Sequence, residues 1–222
     1  MARGINVIAV DGPVAAGKTV VGRELARSLG FACLDTGVMY RAITWLALHS
    51  GIAIDDETSL GELAGANPVR LVGDEGDRVS VAGHSLGPEL RDSSVEGNVS
   101  LVSKASPVRR ELVAQQRQIA ALGKIVMIGR DIGTVVLPDA DLKVYLTASP
   151  ENRARRRWLE MRDRGQGVDL GTVLSETLAR DAIDSNRDDS PLKAAEDAWE
   201  LNTDHLDIGQ VVQKIVARVN DP

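Results

Sequence analysis

The sequence is poor in cysteine, in aromatic residues and in long apolar runs, and each shortage closes off a class of function. Cys33 is the only cysteine among 222 residues, so no disulfide forms within the chain, and the composition suits a reducing compartment. It stands in Phe31-Ala32-Cys33-Leu34, an apolar strand pattern in which a thiol serves as a small core residue. Aromatic residues make up 3% of the chain, leaving few platforms for stacking single-stranded bases. A net charge of −6 argues against nonspecific binding to nucleic acid or to a membrane surface. No apolar run approaches the roughly 20 residues that a membrane span needs. Met1-Ala2-Arg3-Gly4 leads straight into a strand pattern, which leaves no room for a signal peptide. His49, His84 and His205 lack metal-ligand spacing, and neither HExxH nor CxxC occurs. The expectation is a cytoplasmic protein that engages no nucleic acid and no membrane.

What is present centres on Gly12-Pro13-Val14-Ala15-Ala16-Gly17-Lys18-Thr19, which fits the pattern G-x-x-x-x-G-K-[S/T]. Ile5-Asn6-Val7-Ile8-Ala9-Val10 before it reads as a buried strand. After it, Val20, Val21, Leu25, Ala26 and Leu29 recur at helical spacing, with Gly30 as a stop. In that setting the glycines let backbone N–H groups cradle phosphate oxygens, assisted by the positive end of the following helix. Lys18 would reach the β- and γ-phosphates, and the Thr19 hydroxyl would ligate Mg²⁺. The motif predicts a nucleoside triphosphate site.

Further along, residues 31–34 read as a strand and 38–50 as a helix with Met39, Ile43, Leu46 and Ala47 on one face. From 55 to 98, Gly, Asp and Ser become frequent. Val69-Arg70-Leu71-Val72 and Arg78-Val79-Ser80-Val81 look like paired strands around Gly73-Asp74-Glu75-Gly76-Asp77, so this stretch reads as a small, mostly antiparallel insertion. Helices are expected over 107–122, 150–163, 169–186 and 207–219, with strands at 124–128, 142–146 and 198–201. Ser149-Pro150 and the Asp207/Gln210 pair are helix-start signals. Alternating strands and helices imply an α/β fold with a parallel sheet covered on both faces.

Ligands of such sheets sit beyond the carboxyl ends of the strands. Three of those ends are polar: the glycine loop, Asp35-Thr36-Gly37 with Arg41, and Gly129-Arg130-Asp131. Arg180, Asp184 and Arg187 share one helical stripe, a spacing equally consistent with a solvated face. Arg153, Arg155, Arg156, Arg157, Arg162 and Arg164 abut Gly165-Gln166-Gly167, as a glycine-hinged arginine lid would. Two polyanions brought in line need cations, and a phosphate acceptor needs no general base, which fits many arginines without an evident base.

Several of these stretches together resemble bacterial cytidylate kinase. They are Val10-Asp11-Gly12-Pro13, Leu34-Asp35-Thr36-Gly37-Val38-Met39-Tyr40-Arg41, Gly129-Arg130-Asp131-Ile132-Gly133-Thr134-Val135-Val136, Arg180-Asp181 through Asp184 to Asn186-Arg187, and Pro191-Leu192-Lys193. The resemblance implies the P-loop nucleoside monophosphate kinase fold: a five-stranded parallel sheet flanked by helices, with a small antiparallel β insertion and a helical lid. It implies one domain over 1–222, with core 1–54, 99–150 and 188–222, monophosphate-binding insertion 55–98 and lid 151–187. It implies transfer of the ATP γ-phosphate to CMP or dCMP, with Mg²⁺, by a monomer. Carried over, ATP lies on Gly12, Pro13, Val14, Ala15, Ala16, Gly17, Lys18, Thr19 and Val20, and the CMP phosphate meets Arg41 and Arg130. Asp35 joins the substrate site; Ser100, Arg109 and Asp131 face cytosine; Arg180, Asp184 and Arg187 meet ribose and phosphate. Lys18, Arg130, Arg157 and Arg187 are the catalytic set.

The chain departs from the family pattern at Val14 and Ala15, where the loop has a small polar residue and a glycine. It departs again at Ile128, where many members carry an acid that could hold Mg²⁺ through water. With isoleucine there, that role passes to Asp11 or is lost. Another small-molecule P-loop kinase and a non-catalytic ATP-binding module are the competing readings.

Overall fold

A computed structural model describes residues 4–72, 78–186 and 189–221. Its centre is a wholly parallel sheet of β1 (Val7–Asp11), β2 (Ala32–Asp35), β6 (Ile125–Ile128), β7 (Leu142–Thr147) and β8 (Trp199–Asn202), in the order β2-β6-β1-β7-β8. Between β2 and β6 lie α2 (Thr36–His49), α3 (Glu57–Ala66), a three-stranded antiparallel sheet, α4 (Ser93–Val102) and α5 (Ser106–Ala120). The small sheet comprises β3 (Arg70–Val72), β4 (Arg78–Val81) and β5 (His84–Leu86). The other helices are α1 (Lys18–Leu29), α6 (Pro150–Asp163), α7 (Leu170–Ser185) and α8 (Ile208–Asn220).

The central strands β1 and β6 are nearly continuous apolar runs because both faces of the sheet are covered there. Successive side chains point to opposite faces, so Ile8 and Val10 join Leu25 of α1 and Ile215 of α8, while Ala9 joins Met39, Ile43 and Leu112 on the other side. Each such fully buried aliphatic side chain contributes about 1.5–3 kcal/mol. The second cluster also takes in Leu60 of α3, Val79 of β4 and Val99 of α4. The segment between β2 and β6 therefore shares one core with the sheet.

Helix ends follow the local chemistry. Ser149 caps α6 through a bond from Asn152 N, and Asp207 with Gln210 forms a capping box on α8, each cap worth about 0.5–2 kcal/mol. Gly30 ends α1 in the left-handed region at φ 66°. The expected pairing of 69–72 with 78–81 is present, Leu71 opposite Val79; the intervening turn at 73–77 lies outside the described residues. Residues 55–98 are nevertheless less β-rich than expected. Asp56 caps α3, accepting from Ser59 N at 3.1 Å, and Leu60 and Ala64 bury one side of that helix. Gly61 is there for packing, since a Cβ on it would lie 2.3 Å from Pro107 Cβ on α5.

Candidate active site

The carboxyl ends of β1, β2 and β6 open into one cavity of about 330 Å³. Lys18 and Thr19 line it from α1, Asp35 from β2, Arg41 from α2, Arg109 from α5, Arg130 and Asp131 from the turn after β6, Arg157 from α6, and Arg180 and Asp184 from α7. Residues far apart in the chain thus converge where a parallel sheet receives its ligand.

Backbone geometry shapes the loop. Gly12 has φ 143°, and a Cβ on it would lie 2.2 Å from Leu146 O on β7. Gly12→Ala is expected to cost about 1–3 kcal/mol by overpacking, read by chemical denaturation. Ala15 takes the left-handed conformation at φ 57°, which gives a physical reason for a glycine at that place. Gly17 precedes α1 at φ 91°, and α1 has no side-chain cap and no acidic residue in its first turn. Its leading N–H groups therefore stand ready for an anion.

Lys18 is half-buried and donates from Nζ to Pro13 O at 2.7 Å. Burial first, and then Arg130, hold its pKa well below the ordinary lysine value. Thr19 Oγ1 donates to Asp35 Oδ2 at 2.7 Å, and Asp35 Oδ1 accepts from Gly37 N at 3.0 Å. Asp11 does not take the place left by Ile128. Its two oxygens accept from Ile132 N at 2.8 Å and Gly133 N at 2.7 Å, fastening β1 to a π turn at Ile132–Val136. Burial lifts the Asp11 carboxyl to about 6 against the pull of those bonds. Ile128 is fully buried against Gly22 of α1. The carboxylate beside the Thr19 hydroxyl is Asp35, which lies opposite Ile128 in the β2–β6 register.

Asp131 and Arg109 form a buried ion pair. Arg109 Nη1 also donates to Tyr40 OH at 3.3 Å and Ser103 O at 3.4 Å, and its guanidinium lies 5.8 Å from the Tyr40 ring centroid. Burial alone would lower the Arg109 pKa; Tyr40, Asp131 and Asp189 outweigh it and raise it. Asp184 is 1% exposed and pairs with Arg130, so its face of α7 is not a solvated one.

A protein-family model described as cytidylate kinase matches residues 8–221. The chain belongs to the cytidylate kinase family. It is 46% identical over 215 residues to the cytidylate kinase of Geobacillus sp. (strain WCH70), covering 96% of each. It is 45% identical over 216 residues to that of Streptococcus suis (strain 05ZYH33), again covering 96% of each. To the bifunctional pantoate ligase/cytidylate kinase of Trichodesmium erythraeum it is 44% identical over 211 residues, spanning 40% of that longer protein. Two solved structures share the fold at low identity. One is an uncharacterised protein from Eubacterium ventriosum (TM-score 0.53, 10% identical, 97% and 99% covered). The other is a gluconokinase from Sinorhizobium meliloti (TM-score 0.50, 14% identical, 99% and 94% covered).

Among the residues expected from the cytidylate kinase pattern, Val14, Ala15, Gly17, Lys18, Thr19, Val20, Asp35, Arg41, Arg109, Arg130, Asp131, Arg157, Arg180 and Asp184 all line the cavity. Arg187 lies outside the described residues. Ser100 is not among the lining residues: Glu96 and Val99 of α4 and Ser103, which follows it, face the cavity, and Ser103 Oγ donates to Ser100 O at 3.0 Å. The arginine-rich segment divides by role. Arg153 is buried and bonds Ala148 O, Val14 O and Asp181, tying the glycine loop to α6 and α7. Arg156 bonds Thr203 O at 2.6 Å, Arg162 packs on Trp158, and Arg157 and Arg164 reach the cavity.

Arg23, Arg91, Glu96, Val99, Ser103 and Glu160 line the cavity without having been marked by the sequence, and Glu96 is the one that gathers charge. Its carboxylate lies among Arg41 Nε and Arg91 Nη1, both at 3.3 Å, Arg157 Nη2 at 3.4 Å and Arg180 Nη1 at 3.8 Å. Burial would raise its pKa; the four arginines overcome that and hold it below the ordinary carboxylate value. Val95, Val99 and Val102 recur at helical spacing and could have marked α4.

Proposed function

We propose that this chain transfers the γ-phosphate of ATP to CMP and dCMP, with Mg²⁺ as the divalent ion. The observation that carries this reading is the convergence of Arg41, Arg130, Arg157 and Arg180 on the cavity that holds Lys18. One such group is a commonplace of surfaces; five cations around one mouth answer the charge of two phosphorylated ligands.

In this reading the backbone N–H groups of Gly12 to Thr19 and the amino group of Lys18 grip the donor phosphates. Lys18 gives up its bond to Pro13 O in doing so. Arg41 and Arg130 hold the acceptor phosphate, whose own oxygen is the nucleophile, so no side chain need remove a proton. Arg157, carried by α6 in a lid of α6 and α7, closes on the transferred group, and Arg187 is assigned the same task from the family pattern. Arg180 and Asp184 hold the ribose side. Cytosine presents an amine beside two acceptors; Asp131 accepts from the amine and Arg109 donates to the acceptors.

The hydroxyl of Thr19 and the carboxylate of Asp35, 2.7 Å apart, are hard oxygen donors suited to Mg²⁺. Bound there, the ion would neutralise charge on the donor phosphates. The role expected of Asp11 or of the position now held by Ile128 thus falls to Asp35. The same reading puts the protein in the cytoplasm as a monomer engaging no nucleic acid or membrane. No helix among the described residues is long and apolar enough to cross a membrane.

A coupled assay with CMP, dCMP, UMP and AMP tests the substrate. Uracil reverses two of the groups that cytosine presents, and each mismatch costs about 1–3 kcal/mol, so kcat/KM for CMP and dCMP should exceed that for UMP by about thirtyfold or more. Equal activity with UMP would overturn the assignment of Arg109 and Asp131, and equal activity with AMP would overturn the choice of a pyrimidine acceptor.

A further inference from the structure

Glu96 sets one carboxylate against guanidinium groups from four elements: α2 (Arg41), the 3₁₀ turn at Pro88–Arg91 (Arg91), α6 (Arg157) and α7 (Arg180). All five residues line the cavity of Lys18. The contacts run from 3.3 to 3.8 Å, longer than the roughly 2.7–2.9 Å of a well-made charged hydrogen bond. One carboxylate spread over four guanidinium groups makes a short charged hydrogen bond to none of them, and Glu160, 3.6 Å from Arg157 Nη1, is no closer. A phosphate dianion, with three acceptor oxygens and twice the charge, would satisfy them better.

We propose that Glu96 is a built-in counter-anion that occupies the place of the acceptor's phosphate in the nucleotide-free protein and is expelled when that phosphate arrives. This deepens the kinase reading and rests on it, because it takes the cavity of Arg41 to be the acceptor site. Two consequences follow. While seated, Glu96 clasps α6 and α7 to α2 and α4, holding the arginine-bearing helices near the cavity without substrate. Its expulsion must be driven by the incoming phosphate, so the intrinsic affinity is scaled down to the fraction of molecules in which Glu96 is not seated. The exchange is anion for anion, so the four arginines never face one another without a negative partner.

The test is Glu96→Gln, isosteric and uncharged, read by calorimetric titration with CMP, with inorganic phosphate and with cytidine. CMP and inorganic phosphate should each bind about tenfold tighter than to the wild type, the gain expected if nine molecules in ten are plugged. Cytidine, which has no phosphate, should bind equally to both. Amide hydrogen exchange in α6 and α7 should quicken in the nucleotide-free variant. Glu96→Asp, which keeps the charge on a shorter arm, should fall between the two, and it serves alone if the glutamine variant does not fold. Inorganic phosphate or CMP binding no tighter than wild type, in whichever variant is folded, would overturn the proposal and make Glu96 a scaffold. Failure of the kinase reading shows separately, as a wild type that turns over none of the monophosphates with ATP.

Discussion

Lys18→Ala is expected to fold and to bind nucleotide while losing about a thousandfold or more in kcat. Removing a single oriented donor from a charge-stabilising site costs about 10²–10³ in rate, and a cation aimed at a transferring phosphoryl group contributes about 10³–10⁵. Lys18 belongs to the second kind. Its half-buried amino group lies near Arg130 and makes one hydrogen bond, to Pro13 O at 2.7 Å, within the loop that carries it. Burial and the neighbouring guanidinium depress its pKa, so in the empty protein the ammonium is held at a cost. Donor phosphates reverse that balance, restoring the charge where charge accumulates in the transition state. Truncation to alanine removes the unfavourable burial with the amine, so the unfolding midpoint should stay the same or rise slightly. The measurements are a coupled turnover assay, denaturant unfolding and a titration with ATP. A kcat within about tenfold of wild type, on folded protein, would remove Lys18 from the chemistry.

The parts legible from sequence were those whose signal is local. β1 and β6 are apolar runs between glycine turns, and they are apolar because both sheet faces are buried. Ser149 and Asp207 announced their helices because a cap is made within three residues. The phosphate loop was legible because its glycines meet constraints that only backbone can meet, as the approach of Gly12 to Leu146 O shows. α3 and α4 were hidden. Gly61 and Gly65 in the first, and Gly97 among serines in the second, read as turns by composition. Gly61 is instead a close helix–helix contact, a cause that depends on Pro107 far along the chain. With α4 unread, nothing in the sequence marked Glu96, Val99 and Ser103 as one face of the cavity; Ser100 came from the family resemblance alone. Asp11 and Asp35 show the same limit. Both end strands beside the loop, but only the fold turns one toward the amides of Ile132 and Gly133 and the other toward Thr19.

Base recognition yields the second large effect. Asp131 pairs with Arg109, which is 3% exposed, and the pair is braced by Tyr40 and Ser103 O. Asp131→Ala would leave the buried guanidinium with only the more distant, half-exposed Asp189, 4.0 Å from its Nε, a loss of up to about 3–5 kcal/mol in stability. It should still raise KM for CMP far more than KM for ATP. Asp131→Asn separates the two effects better. One amide oxygen keeps a bond to Arg109, while the amide nitrogen replaces the oxygen that would accept from the cytosine amine. Two donors then face each other, a mismatch of about 1–3 kcal/mol, so KM for CMP should rise by about five- to 150-fold with KM for ATP nearly unchanged. The same amide nitrogen suits the carbonyl that uracil presents at that place, so discrimination against UMP should shrink in the variant. Kinetics varying one nucleotide at a time, on protein whose melting is followed in parallel, decide the matter. If both Michaelis constants rose together, Asp131 would be holding the cavity in shape, and cytosine would have to be read by other groups.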